Sequence, residues 1–133
     1  MTRANHPWGP FDTPFEAVGG EGKLRSIVDR FYDIIDAEAS TLRAMLPKDD
    51  SASRDKLYWY LVEWSGGPAL YSPERGHPAM RMRHLPFEIG ADEVDTWLTC
   101  FGRALDDNDV TGQVRDFLDE RIGALALHMQ NQP

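Results

Sequence analysis

From Leu24 onward, apolar residues recur every three or four positions. Leu24, Ile27, Val28, Phe31, Ile34 and Ile35 define one face of a helix that begins near Glu21. Upstream, Phe15 to Val18 predicts a short helix ended by Gly19-Gly20. Downstream, a short helical turn is predicted over Thr41 to Leu46 and is stopped by Pro47. Ser51 or Ser53 is positioned to cap the next helix, whose face is Leu57, Tyr60, Leu61 and Trp64. Gly66-Gly67-Pro68 ends it.

Residues 65–78 hold Gly66, Gly67, Pro68, Pro73, Gly76 and Pro78, which predicts a long irregular connection. A short helix then fits Ala79 to His84, between Pro78 and Pro86. Asp92 and Glu93 occupy the first turn of a further helix, where its dipole favours acidic side chains. The face of that helix is Val94, Trp97, Leu98, Phe101 and Leu105, and Asp106 to Asp109 break it. A last helix carries Val114, Phe117, Leu118, Ile122, Leu125 and Met129. No segment sustains strand alternation and there is no internal repeat. The expectation is an all-α domain over residues 15–133 with four principal helices, preceded by a proline-rich extension over 1–14.

At 133 residues the chain suits one domain with one core. Its net charge of −8 disfavours a nucleic-acid or anionic-membrane surface, both of which need local cation density. Cys100 is the single cysteine, so no intrachain disulfide can form; it is expected to be a small core residue in a reducing, cytoplasmic setting. No apolar run approaches membrane-spanning length.

Against that acidic background one segment stands out: Arg75-Gly-His-Pro-Ala-Met-Arg-Met-Arg-His84-Leu-Pro-Phe87. It gathers two histidines and three arginines. One neutral imidazole, an apolar surround and nearby cations for carboxylates form the set a ferrous porphyrin requires. The four histidines have no spacing of a zinc site. His6 lies in the extension, and His128 reads as a packing or surface residue on the last helix. Tyr32 and Trp97 bring an O–H and an N–H among core positions. Either each donates to a backbone carbonyl or both point at a shared ligand, and spacing alone favours the first.

Further blocks accompany that segment, in order: Phe15-Glu-Ala-Val-Gly-Gly20, Arg30-Phe-Tyr32, Trp64-Ser-Gly-Gly-Pro-Ala-Leu-Tyr71 and Trp97-Leu-Thr-Cys100. Together they resemble the truncated haemoglobins of group II, over nearly the whole chain. The resemblance implies a two-over-two helical sandwich with a long loop before a short proximal helix, and a haem b (iron protoporphyrin IX) cofactor. His84 matches the proximal iron ligand, Tyr32 the distal tyrosine and Trp97 the tryptophan characteristic of the group. Leu57 and Ser53 match distal positions, Ser53 that of the gate. Leu46 stands where the family often has an aromatic residue or histidine, and leucine cannot hydrogen-bond to Tyr32 or to a ligand. Phe31, Tyr71, His77, Arg81, Arg83 and Phe87 are expected around the haem, with Arg81, Arg83 or Lys56 meeting its propionates.

The implied activity is reversible binding of dioxygen with slow release, set by donors from Tyr32 and Trp97. Carbon monoxide, nitric oxide and peroxide are further implied ligands. A haem enzyme with peroxidase-like or nitric-oxide-detoxifying activity, served by a reductase, uses the same residues. A cofactor-free helical interaction module is the remaining alternative.

Overall fold

The computed structural model describes residues 11–70 and 87–132. The arm over residues 1–10, the short helix expected at 79–84, and Tyr71, His77, Arg81, Arg83 and His84 lie outside the described residues. The described part contains six helices and no strand: α1 (Pro14–Val18), α2 (Gly20–Glu38), α3 (Ser40–Ala44), α4 (Ser51–Trp64), α5 (Ala91–Asp107) and α6 (Gly112–Met129).

Helix α1 starts where Thr13 caps it, Oγ1 accepting the Glu16 N–H at 3.1 Å, with Pro14 in the first turn. Gly19, at φ 119°, is both the last cap of α1 and the first cap of α2, and Gly20 follows at φ 81°. The predicted face of α2 is buried throughout, with Ile27, Val28 and Phe31 fully so. It packs mainly on α5 and α4. The α2 and α5 helices run in opposite directions. Near the start of α2, the Lys23 ammonium donates to the Asn108 carbonyl at 2.7 Å and Ser26 Oγ donates to Asn108 Oδ1 at 2.6 Å. These bonds use C-terminal groups of α5 that the helix itself cannot satisfy.

Several expectations need adjusting. Helix α3 spans Ser40–Ala44, and Met45 and Leu46 continue it only as a tight turn, their N–H groups donating to Leu42 and Arg43 carbonyls. The N-cap of α4 is Asp50, not Ser51 or Ser53. The reason is local: Asp49 Oδ1 already holds the Ser51 N–H at 3.0 Å and its Oγ at 2.6 Å, so the turn closes one residue earlier. Within α4 only Leu61 and Val62 are fully buried, while Leu57, Tyr60 and Trp64 pack at the margin of the core. On α6 the buried stripe is Leu118, Ile122, Ala126 and Met129, and Leu125 is half-buried. Cys100 is buried as expected.

The end of α4 is the sharpest stop in the chain. Gly66 takes φ 104°, its N–H donates to the Glu63 carbonyl, and the Gly67 N–H reaches the Val62 carbonyl at 2.8 Å. This paired closure satisfies two carbonyls that the helix leaves open. It also seats α1, because the Phe15 N–H donates to the Ser65 carbonyl at 2.9 Å. A Cβ built on Gly67 would lie 2.7 Å from the Phe15 ring and 2.9 Å from Val62. Gly67→Ala is therefore expected to lower stability by about 1–3 kcal/mol through overpacking. Urea unfolding of the variant against the parent measures this, and an unchanged midpoint would contradict the seating of α1.

Candidate functional site

The α2 and α5 helices meet at an aromatic junction. Phe31 stands edge-on to Tyr32 (ring centroids 5.1 Å, 69°) and to Trp97 (5.2 Å, 74°). Trp97 in turn stacks on Phe101 at 5.5 Å. Edge-on pairs of this kind contribute about 0.5–1.5 kcal/mol beyond area burial. They also fix the two polar aromatics by a fully buried neighbour that has one place to go.

Tyr32 and Trp97 open onto a cleft enclosing about 690 Å³, solvent at its mouth included. Helix α2 contributes Phe31 and Ile35 to its wall, and the α3 region Leu42, Met45 and Leu46. Phe87 and Ile89 precede α5, which adds Val94, while Ala126 and Met129 come from α6. Glu93 is the one carboxylate in the lining among the described residues, and it is engaged, with Oε1 accepting the Gly90 N–H at 2.9 Å. Every other lining side chain besides Tyr32 is apolar or aromatic.

The two readings of Tyr32 and Trp97 can now be compared. The Tyr32 hydroxyl has a backbone acceptor, the Ser53 carbonyl, but at 3.5 Å this is a long contact. The Trp97 indole N–H has no acceptor among the described residues. Tyr32 is only 9% exposed. Burial pushes its phenol up to about 12, Asp50 pushes in the same direction, and the Arg54 cation pulls it down.

Of the residues expected at the site, Phe31, Tyr32, Leu46, Phe87 and Trp97 share the cleft. Leu57 packs against the core outside the cleft lining. Ser53 meets Tyr32 through its main chain. Lys56 is exposed on α4.

Arg54 was not foreseen. Its guanidinium lies 5.6 Å from the Tyr32 ring centroid. It pairs with Asp50 at 3.1 Å, Asp33 at 2.9 Å and Asp29 at 3.5 Å, and donates to the Asp29 carbonyl at 3.2 Å. Only the Asp50 partner, four residues away on the same helix, has a spacing visible in the sequence. Ile35, Leu42, Ile89, Ala126 and Met129 were also not singled out for the site, because their apolar character marks core in general.

The family model of the bacterial-like globins matches residues 13–131. The chain is 40% identical over 122 residues to the group 2 truncated hemoglobin YjbI of Bacillus subtilis, covering 92% of this chain and 91% of that protein. The group II truncated hemoglobin of Bacillus anthracis superposes with a TM-score of 0.89 at 41% identity, over 92% of this chain and 99% of that one. A truncated, oxygen-avid haemoglobin of Bacillus subtilis superposes with a TM-score of 0.85 at 39% identity, over 90% of this chain and 100% of that one. These solved structures share the two-over-two helical arrangement.

The raised Tyr32 phenol links stability to pH. The folded state prefers the protonated phenol, so this stabilisation is complete below the ordinary tyrosine value of 10 and is lost as pH rises towards about 12. The expected loss is about 2 kcal/mol across that window. Tyr32→Phe should remove this component, which denaturant unfolding at pH 9, 10 and 11 would measure. Arg54→Met should move the ionisation of Tyr32 higher still, and should destabilise the fold by about 1 kcal/mol as three aspartates lose their cation. Ultraviolet phenolate titration reports the first effect; a midpoint that falls would contradict the Arg54–Tyr32 coupling.

Proposed function

The chain belongs to the bacterial-like globin family and is a haem-binding globin, and on that premise we propose that it binds dioxygen and other diatomic ligands reversibly at an iron held by His84, with slow oxygen release set by Tyr32 and Trp97. One observation carries this reading. Tyr32 and Trp97 line a cleft whose other described lining residues, apart from the engaged Glu93, are apolar, and the acceptors of their O–H and N–H within the described protein are distant or lacking.

The residues present fit a haem. The lining offers aromatic and aliphatic surface, and its one carboxylate among the described residues is already engaged. When bound, haem supplies a ferrous iron open to diatomic ligands. His84 would hold that iron through a neutral imidazole. Arg81, Arg83 and Lys56 are the candidate partners for propionate carboxylates, with arginine the better fork.

The chain's own contribution is polarity and water exclusion. Phe31, Ile35, Val94 and Met129 give the cleft an apolar wall, which lowers the polarity around the two donors. Tyr32 keeps its proton at physiological pH as an ordinary phenol does, and burial pushes its ionisation further up, to about 12. Trp97 can only donate. A hydrogen bond to a ligand carrying partial charge contributes about 1.5–3 kcal/mol, or roughly tenfold or more in release rate. The oxygen-avid description of the Bacillus subtilis relative supports the same direction.

Tyr32→Phe and Trp97→Phe are each expected to raise the oxygen dissociation rate about tenfold in stopped-flow displacement by carbon monoxide. Unchanged rates in both variants would overturn the donor account. His84→Ala is expected to change the ferrous and carbon-monoxide spectra, and a parent-like spectrum would overturn the ligand assignment.

A further inference from the structure

Residues 87–90 connect to α5 without helix of their own. Their main-chain N–H and C=O groups therefore need partners from elsewhere. The residues just beyond α6 supply them. Asn131 Oδ1 accepts the Ile89 N–H at 2.9 Å, and Asn131 Nδ2 donates to the Phe87 carbonyl at 2.8 Å. The main-chain N–H groups of Asn131 and Gln132 both donate to the Ile89 carbonyl, at 2.8 and 3.0 Å. One side-chain amide thus pairs with two backbone groups as a neighbouring peptide unit would. The orientation of that amide is fixed by its partners, since only the oxygen can face an N–H and only the nitrogen a carbonyl.

The clasp joins two walls of the cleft. Phe87 and Ile89 line it on one side, and Ala126 and Met129, just before Asn131, line it on another. Phe87 itself is 38% exposed, so side-chain burial alone holds it weakly. His84 lies three residues before Phe87 in sequence, a reach of at most about 11 Å of extended chain. Fixing Phe87 therefore limits where the preceding residues can go.

We propose that Asn131 is a positioning residue for the haem: its side-chain amide locks Phe87–Ile89 to the end of α6, and so retains the porphyrin and restrains the segment that carries its iron ligand. The second half of this statement rests on the assignment of His84 made above.

The test uses the holoprotein and two variants, Asn131→Ala and Asn131→Asp. The aspartate keeps an acceptor for the Ile89 N–H but cannot donate to Phe87. Two quantities are read: ferric haem loss to an excess of an apoglobin scavenger, and the ferrous iron–histidine stretching band in resonance Raman spectra. Both variants are expected to lose haem about tenfold faster and to show a shifted or broadened band. Apoprotein unfolding in urea separates this from general destabilisation, with Gly67→Ala as the control that weakens the fold far from the clasp. Parent-like haem loss in either Asn131 variant, or equal acceleration in Gly67→Ala at matched stability, would overturn the proposal. His84→Ala run in parallel keeps the two readings apart. A parent-like band in that variant rejects the ligand assignment, while haem loss from the Asn131 variants still decides whether the clasp retains the porphyrin.

Discussion

The packing of α2 on α5 through Phe31 is the constraint on which the rest depends. A fully buried ring in contact with Tyr32, Trp97 and Phe101 leaves none of them free to rotate away. The two donors of the cleft are thereby oriented by dispersion and ring geometry. Within the described protein their polar groups find only the long contact of the Tyr32 hydroxyl with the Ser53 carbonyl. Polar contacts outside the core, such as Lys23 with Asn108 and Arg30 with Asp107 at 2.6 Å, hold the same two helices in register from the far end.

Around that centre the cleft is assembled from four separate stretches of chain. Helices α2 and α5 bring the donors, the α3 turn brings aliphatic cover, and α6 closes the end with Ala126 and Met129. Several helix ends are fixed by specific local chemistry. Gly19 separates α1 from α2, the Gly66-Gly67 closure ends α4, and the Glu93 carboxylate on the Gly90 N–H starts α5. These stops set the placement of side chains that the core then only has to fill.

The helices were legible because their apolar positions repeat with the helical period, and a period survives any detail of packing. The faces of α2 and α5 were read residue by residue on that basis. The cap of α4 was not, because Asp49, Asp50, Ser51 and Ser53 are all competent capping residues and the sequence does not show that Asp49 turns back onto Ser51. Arg54 was invisible for a related reason. Two of its three aspartates lie on α2, more than twenty residues away, and become neighbours only when α2 and α4 pack. Asn131 follows the same rule: its partners precede it by about forty residues. Tyr32 and Trp97 were legible as polar groups in apolar stripes, while the choice between a backbone acceptor and an open cleft needed three dimensions.

Arg54 carries an evolutionary consequence. It does not itself line the cleft, yet its charge sits against the ring of Tyr32 and is paired with Asp29 and Asp33, whose side chains reach solvent. Substitutions among those surface aspartates leave the core and the cleft intact, so folding places little restraint on them. They nevertheless alter the field at the Tyr32 phenol, which borders the cleft. Lineages can thus drift in the electrostatics of that phenol through changes that look neutral on the protein's exterior, and two relatives with identical cleft residues need not carry the same field there.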